Sequence, residues 1–89
     1  MTRRDVRITN RLGLHARAAA RFVHTANRFQ ARITAARDGR RMDGKSILGI
    51  LLLAAAQGST LTLEAEGEDE EAALEALARL VEGGFGEEG

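Results

Sequence analysis

The 89-residue sequence predicts an α+β fold: a single domain over residues 1–89, in which a four-stranded antiparallel sheet carries three helices on one face in the order βαββαβα. Three observations predict it. Apolar residues alternate with polar ones at Val6 and Ile8, at Ile33 and Ala35, and at Leu61, Leu63 and Ala65, the period of a half-buried strand. Between and after these runs, apolar residues recur every three or four positions, the period of an amphipathic helix. The connections are short, which favours a split βαβ arrangement whose second sheet face is open to water.

Val6 and Ile8, interleaved with Arg7 and Thr9, mark the first strand, and Asn10 to Leu14 the loop after it. From Ala16, apolar positions 16, 19, 20, 23 and 26 form the stripe of a helix ending near Asn27, so His15 stands at its N-terminus. Ile33 and Ala35 give the second strand, Asp38-Gly39 is a hairpin-turn dipeptide, and Arg40 to Asp43 returns as a short third strand. Ser46 is a good N-cap for a short apolar helix from Ile47 to about Leu53. After a break at Gly58, Leu61, Leu63 and Ala65 form the fourth strand, which Gly67 ends. Asp69 is expected to cap the last helix, with an acidic first turn (Glu70, Glu71), a core stripe of Ala73, Leu77, Leu80 and Val81, and a stop at Gly83-Gly84.

Composition excludes several classes of function. With no cysteine there is neither a disulfide framework nor a thiolate metal site, and two histidines far apart in sequence make a poor zinc site. No apolar run follows the first arginines, and the longest apolar stretch, Ile47 to Ala56, is interrupted by Gly49; the expectation is a cytoplasmic chain, neither secreted nor membrane-spanning. Net charge is zero but unevenly laid out: residues 1–45 hold twelve Lys/Arg against three Asp/Glu, and residues 46–89 hold one against ten. Such asymmetry can mark a nucleic-acid binder, yet the aromatics Phe22, Phe29 and Phe85 offer no stacking platform. A basic surface that meets an acidic protein partner explains the layout better.

His15 is the candidate nucleophile. A neutral imidazole attacks phosphorus without a separate base, and the unpaired N–H groups of a helix's first turn, here Ala16 and Arg17, favour a dianionic phosphoryl group. The Arg17 guanidinium is placed to add charge-assisted hydrogen bonds, and Gly13 permits the tight turn before the histidine. On chemistry alone, His15 also reads as a plain helix cap in a small α+β interaction module. His24, nine residues on, is half a turn out of phase and cannot share the site.

A rival motif lies further along. Gly39 to Ser46 satisfies the phosphate-loop pattern G-x-x-x-x-G-K-[ST], which makes a nucleotide binder an alternative reading. Its context argues against it, because Asp38-Gly39 reads as a hairpin turn and Met42 alternates with charged neighbours as in a strand.

The string Gly13-Leu14-His15-Ala16-Arg17, its spacing to Gly44-Lys45-Ser46-Ile47-Leu48-Gly49, the later Gly67-Glu68-Asp69 and the length together resemble the HPr family of the bacterial phosphotransferase system, over essentially the whole chain. The resemblance implies an open-faced sandwich and a stoichiometric phosphocarrier with no cofactor, rather than a turnover enzyme. Nδ1 of His15 would accept a phosphoryl group from enzyme I and pass it to the A domain of an enzyme II, in sugar transport or its nitrogen-related branch. Arg17 would be the electrostatic partner. It further implies that Ser46 is a regulatory site for an HPr kinase/phosphorylase that uses ATP. Partners would sit over the first two helices of a monomer, on Ala20, Ile47, Leu48 and Leu51, with Arg21, Arg28 and Lys45 as a basic rim. One position departs from the family: Ala18 stands where it usually has proline, a substitution expected to leave carrier activity in place and to alter the phosphohistidine lifetime.

Overall fold

The computed structural model describes residues 1–87. The chain runs β1 (Thr2–Arg7), α1 (Ala16–Ala26), β2 (Arg32–Arg37), β3 (Arg40–Asp43), α2 (Ile47–Leu52), β4 (Thr60–Glu66) and α3 (Glu70–Glu82), followed by a 3₁₀ turn at Gly84–Gly86. The four strands form one antiparallel sheet, as the short connections predict, and pair in the order β1-β4-β2-β3.

Register explains which face is covered. Val6 lies opposite Leu61, Ile33 opposite Ala65 and Ala35 opposite Leu63, and all six are buried in one core with Phe22 and Val23 of α1 and Leu74, Leu77 and Val81 of α3. The alternate positions carry polar rows such as Arg3–Glu64–Thr34 and Asp5–Thr62. There the Thr62 hydroxyl donates to Asp5 at 2.8 Å and Arg41 pairs with Glu64 at 2.7 Å, so this face needs no cover.

Three expectations are corrected. The buried stripe of α1 is Ala18, Ala19, Phe22, Val23 and Ala26, with Ala16 and Ala20 facing water. On α3 the stripe is Ala73, Leu74, Leu77, Ala78 and Val81, with Leu80 only partly covered. Asp69 precedes α3, but its carboxylate makes no cap hydrogen bond; it accepts instead from the backbone N–H groups of Gln30 at 2.8 Å and Ala31 at 2.9 Å. The backbone of Asp69 is not extended (φ −100°, ψ 24°), so its side chain is not set over its own helix.

The phosphate-loop reading fails on the backbone. Asp38 and Gly39, both at positive φ, turn the β2–β3 hairpin, and Arg40–Asp43 pairs along β2 as a strand. Lys45 extends its ammonium 2.8 Å from the Phe29 carbonyl. Residues 39–46 therefore hold no loop of free amides that could cradle phosphates.

The hairpin also braces α2. Arg37 and Arg40 donate to the carbonyls of Leu53 and Leu52, both at 3.1 Å, satisfying acceptors left over at that helix end. No helix among the described residues is long and apolar enough to cross a membrane.

Candidate functional site at the start of the first helix

The loop before α1 is pinned from below. Asn10, 2 % exposed, donates to the Gly13 carbonyl at 2.8 Å, and Leu14 donates to the Ala55 carbonyl at 2.9 Å. Gly13 has φ +65°, and a Cβ there would come within 2.6 Å of the Ala55 carbonyl oxygen, so the loop closes this tightly only with glycine. His15 follows as the N-cap in extended backbone, its carbonyl accepting from Ala19 at 2.8 Å.

Both ring nitrogens of His15 are engaged. Nδ1 accepts from the Arg17 backbone N–H at 3.3 Å, and Nε2 faces a carboxylate oxygen of Glu87. An N–H can only donate and a carboxylate can only accept, so the neutral ring carries its proton on Nε2 and its lone pair on Nδ1. That lone pair points at the opening turn of α1, where backbone N–H groups concentrate positive potential. The Glu87 carboxyl is held below its ordinary range, chiefly by the Asn10 amide at 2.9 Å and then by His15 and Arg21, against the opposing effect of partial burial.

Glu87 reaches His15 because the chain after α3 turns back. Gly84, Phe85 and Gly86 all have positive φ, Phe85 is 1 % exposed in the core, and Arg21 donates to the Phe85 carbonyl. The sequence reading missed Asn10 and Glu87. No spacing marks a residue 72 positions away; the one signal was an aromatic set among glycines, which must dock somewhere.

The other predicted residues fall into place unevenly. Arg17 is exposed two residues beyond His15 and forms no salt bridge among the described residues. Together with Ala20, Arg21, His24, Thr25 and Leu80 it lines a shallow groove between α1 and α3. Ile47 and Leu48 are 46 % and 67 % exposed, whereas Leu51 packs partly against the core; Leu52, at 49 %, and Leu12, at 70 %, are exposed apolar residues not singled out from sequence. Arg21 and Lys45 spend their charges on backbone carbonyls, and Arg28 lies 5.6 Å over the Phe29 ring. Ser46 caps α2, its hydroxyl accepting from the Gly49 N–H at 3.0 Å, away from His15 in sequence but on the helix adjoining α1. No cluster of His, Asp and Glu suited to a metal ion occurs among the described residues.

A sequence model described as the PTS HPr component phosphorylation site matches residues 2–83. The chain belongs to the HPr family. It is similar to the phosphocarrier protein HPr of Cupriavidus necator, 48 % identical over 98 % of each chain. The crystal structure of HPr-C-His from Thermoanaerobacter tengcongensis superposes with a TM-score of 0.94 at 46 % identity, covering 99 % of each chain. An HPr dimer from the same organism matches at a TM-score of 0.78 and 46 % identity, covering 98 % of this chain and all of that one, so relatives of this fold also occur as pairs. The chain is thus a phosphocarrier of the HPr family, with that family's open-faced sandwich.

Proposed function

We propose that Nδ1 of His15 accepts a phosphoryl group from phosphorylated enzyme I and delivers it to the A domain of an enzyme II, in sugar uptake or the nitrogen-related branch. The observation that carries this reading is the Nδ1 lone pair held toward the start of α1 by two neighbours that agree on the tautomer. As the Nδ1–phosphorus bond forms, the donor's bond to phosphorus breaks, and no proton leaves the ring because Nε2 keeps its own. The N–H groups of Ala16 and Arg17 then face the phosphoryl oxygens, and the Arg17 guanidinium, in no ion pair among the described residues, is free to swing onto them. The carrier acts in the cytoplasm as a stoichiometric relay, charged and discharged once per cycle, with no cofactor.

Partners dock over α1 and α2, around Ala20, Ile47 and Leu48. Ser46 is the regulatory position: its hydroxyl, already at a helix start, is a site where a phosphate fits the helix end yet sets about two negative charges beside the docking surface.

The test is intact mass after incubation with phosphoenolpyruvate, magnesium and a catalytic amount of enzyme I. Wild type is expected to gain one acid-labile phosphoryl group and His15→Ala none. Equal gain by both proteins, or none by wild type, overturns the assignment.

A further inference from the structure

Resting on the carrier reading, we infer that Glu87 is a positioning residue for phosphoryl transfer: it fixes the Nε2–H tautomer of His15 and keeps Nε2 protonated after Nδ1 is phosphorylated. The contact is built rather than incidental. Three anchors bring Glu87 there: Phe85 inserted in the core, Arg21 on the Phe85 carbonyl, and buried Asn10 on the second carboxylate oxygen at 2.9 Å. The Glu87 side chain is itself only 16 % exposed, with that of His15 at 27 %, so water competes little for the pair.

The consequence differs for the two halves of the cycle. During loading, a proton held on Nε2 leaves Nδ1 as the free nucleophile. During unloading, the acceptor's attack on phosphorus breaks the phosphorus–Nδ1 bond and its electron pair returns to Nδ1. If Nε2 still carries its proton, the group that leaves is neutral imidazole; without that proton it is an imidazolate, a far poorer leaving group. A carboxylate beside Nε2–H stabilises the cationic phosphorylated ring and so holds the carrier in its transferable form. The same arrangement makes the phosphorylated form more easily hydrolysed.

Two variants separate this from a structural role. Glu87→Ala removes the acceptor, while Glu87→Gln keeps an acceptor oxygen and loses the charge; Phe85 and Arg21 keep the tail docked in both. Ring ¹⁵N shifts of unphosphorylated His15 report the tautomer, and the half-life of the phosphorylated form at neutral pH reports the leaving group. Glu87→Ala is expected to lower the share of the Nε2–H tautomer, which the Arg17 N–H alone then favours, and to lengthen the half-life by roughly tenfold, the scale of one adjacent opposite charge. Glu87→Gln is expected to retain the Nε2–H tautomer and still lengthen the half-life. An unchanged ring pattern in Glu87→Ala, or half-lives in both variants equal to or shorter than wild type, overturns the inference alone. A wild type that takes up no phosphoryl group overturns the carrier reading and this inference with it, whereas loading with an unaltered Glu87→Ala half-life sinks only the latter.

Discussion

At the scale of single residues, the site depends on positions that touch no substrate. Gly13 is the clearest. Its φ of +65° and the approach of the Ala55 carbonyl leave no room for a methyl group, and the next residue but one is His15, the proposed nucleophile. Gly13→Ala is expected to lower stability by about 1–3 kcal/mol through backbone strain and to slow phosphoryl uptake by moving the His15 ring off the α1 start. Thermal unfolding together with the initial rate of mass gain checks both. Ser46 makes a milder contrast: Ser46→Ala loses a cap worth about 1 kcal/mol while leaving the His15 site intact. The same scale shows why Asn10 went unrecognised in the sequence. An asparagine in a loop reads as turn chemistry, and only the fold brings its amide to a carboxylate at the far end of the chain.

At the scale of elements, the start of α3 gathers three parts of the chain. Glu70 accepts from the Thr2 hydroxyl at 2.6 Å and the Gly67 N–H at 3.0 Å and lies 3.1 Å from the amino terminus, which together lower its pKa from 4.5 to about 2, Thr2 contributing most. A carboxyl depressed in the folded state adds stability above its unfolded value and loses it as pH falls through the folded one. Stability is therefore expected to decline between pH 4.5 and about 2, and Thr2→Val should flatten that decline; chemical denaturation at stepped pH reads it. The strands, the hairpin turn and the Ser46 cap were legible because period two, Asp38-Gly39 and Ser46 are local signals, whereas the expected Asp69 cap is not formed because its carboxylate goes to Gln30 and Ala31 instead. The phase of α1 was not legible. With alanine at positions 16, 18, 19 and 20, several stripes fit equally, and Phe22 and Val23, whose larger side chains gain most from burial, settle which one faces the sheet. Nor was the tail legible, since a residue such as Phe85 at positive φ has no sequence period to announce it.

At the scale of the whole molecule, the two-sided charge layout along the chain does not map onto two simple faces. Arg3, Arg32 and Arg41 stand on the open sheet opposite or beside Glu64 and Glu66, which offset them, while Arg37 and Arg40 turn to the other side and reach the end of α2. Around α1, by contrast, Arg17, beside exposed Ala20, and Arg28 have no acidic partner among the described residues, and the adjoining α2 exposes Ile47 and Leu48. The docking surface proposed there would gain its association rate from local field rather than net charge. Neutralising one arginine on each face tests this, because Arg3→Gln and Arg28→Gln change net charge equally. Arg28→Gln is expected to lower kcat/KM for phosphorylation by enzyme I about threefold or more at low salt, an effect that shrinks as ionic strength approaches 0.15 M and charges about 8 Å apart become screened. Arg3→Gln should leave it unchanged at every salt concentration. Equal losses in both would mean that the partner senses the overall charge of the chain, and would move the docking surface away from the first two helices.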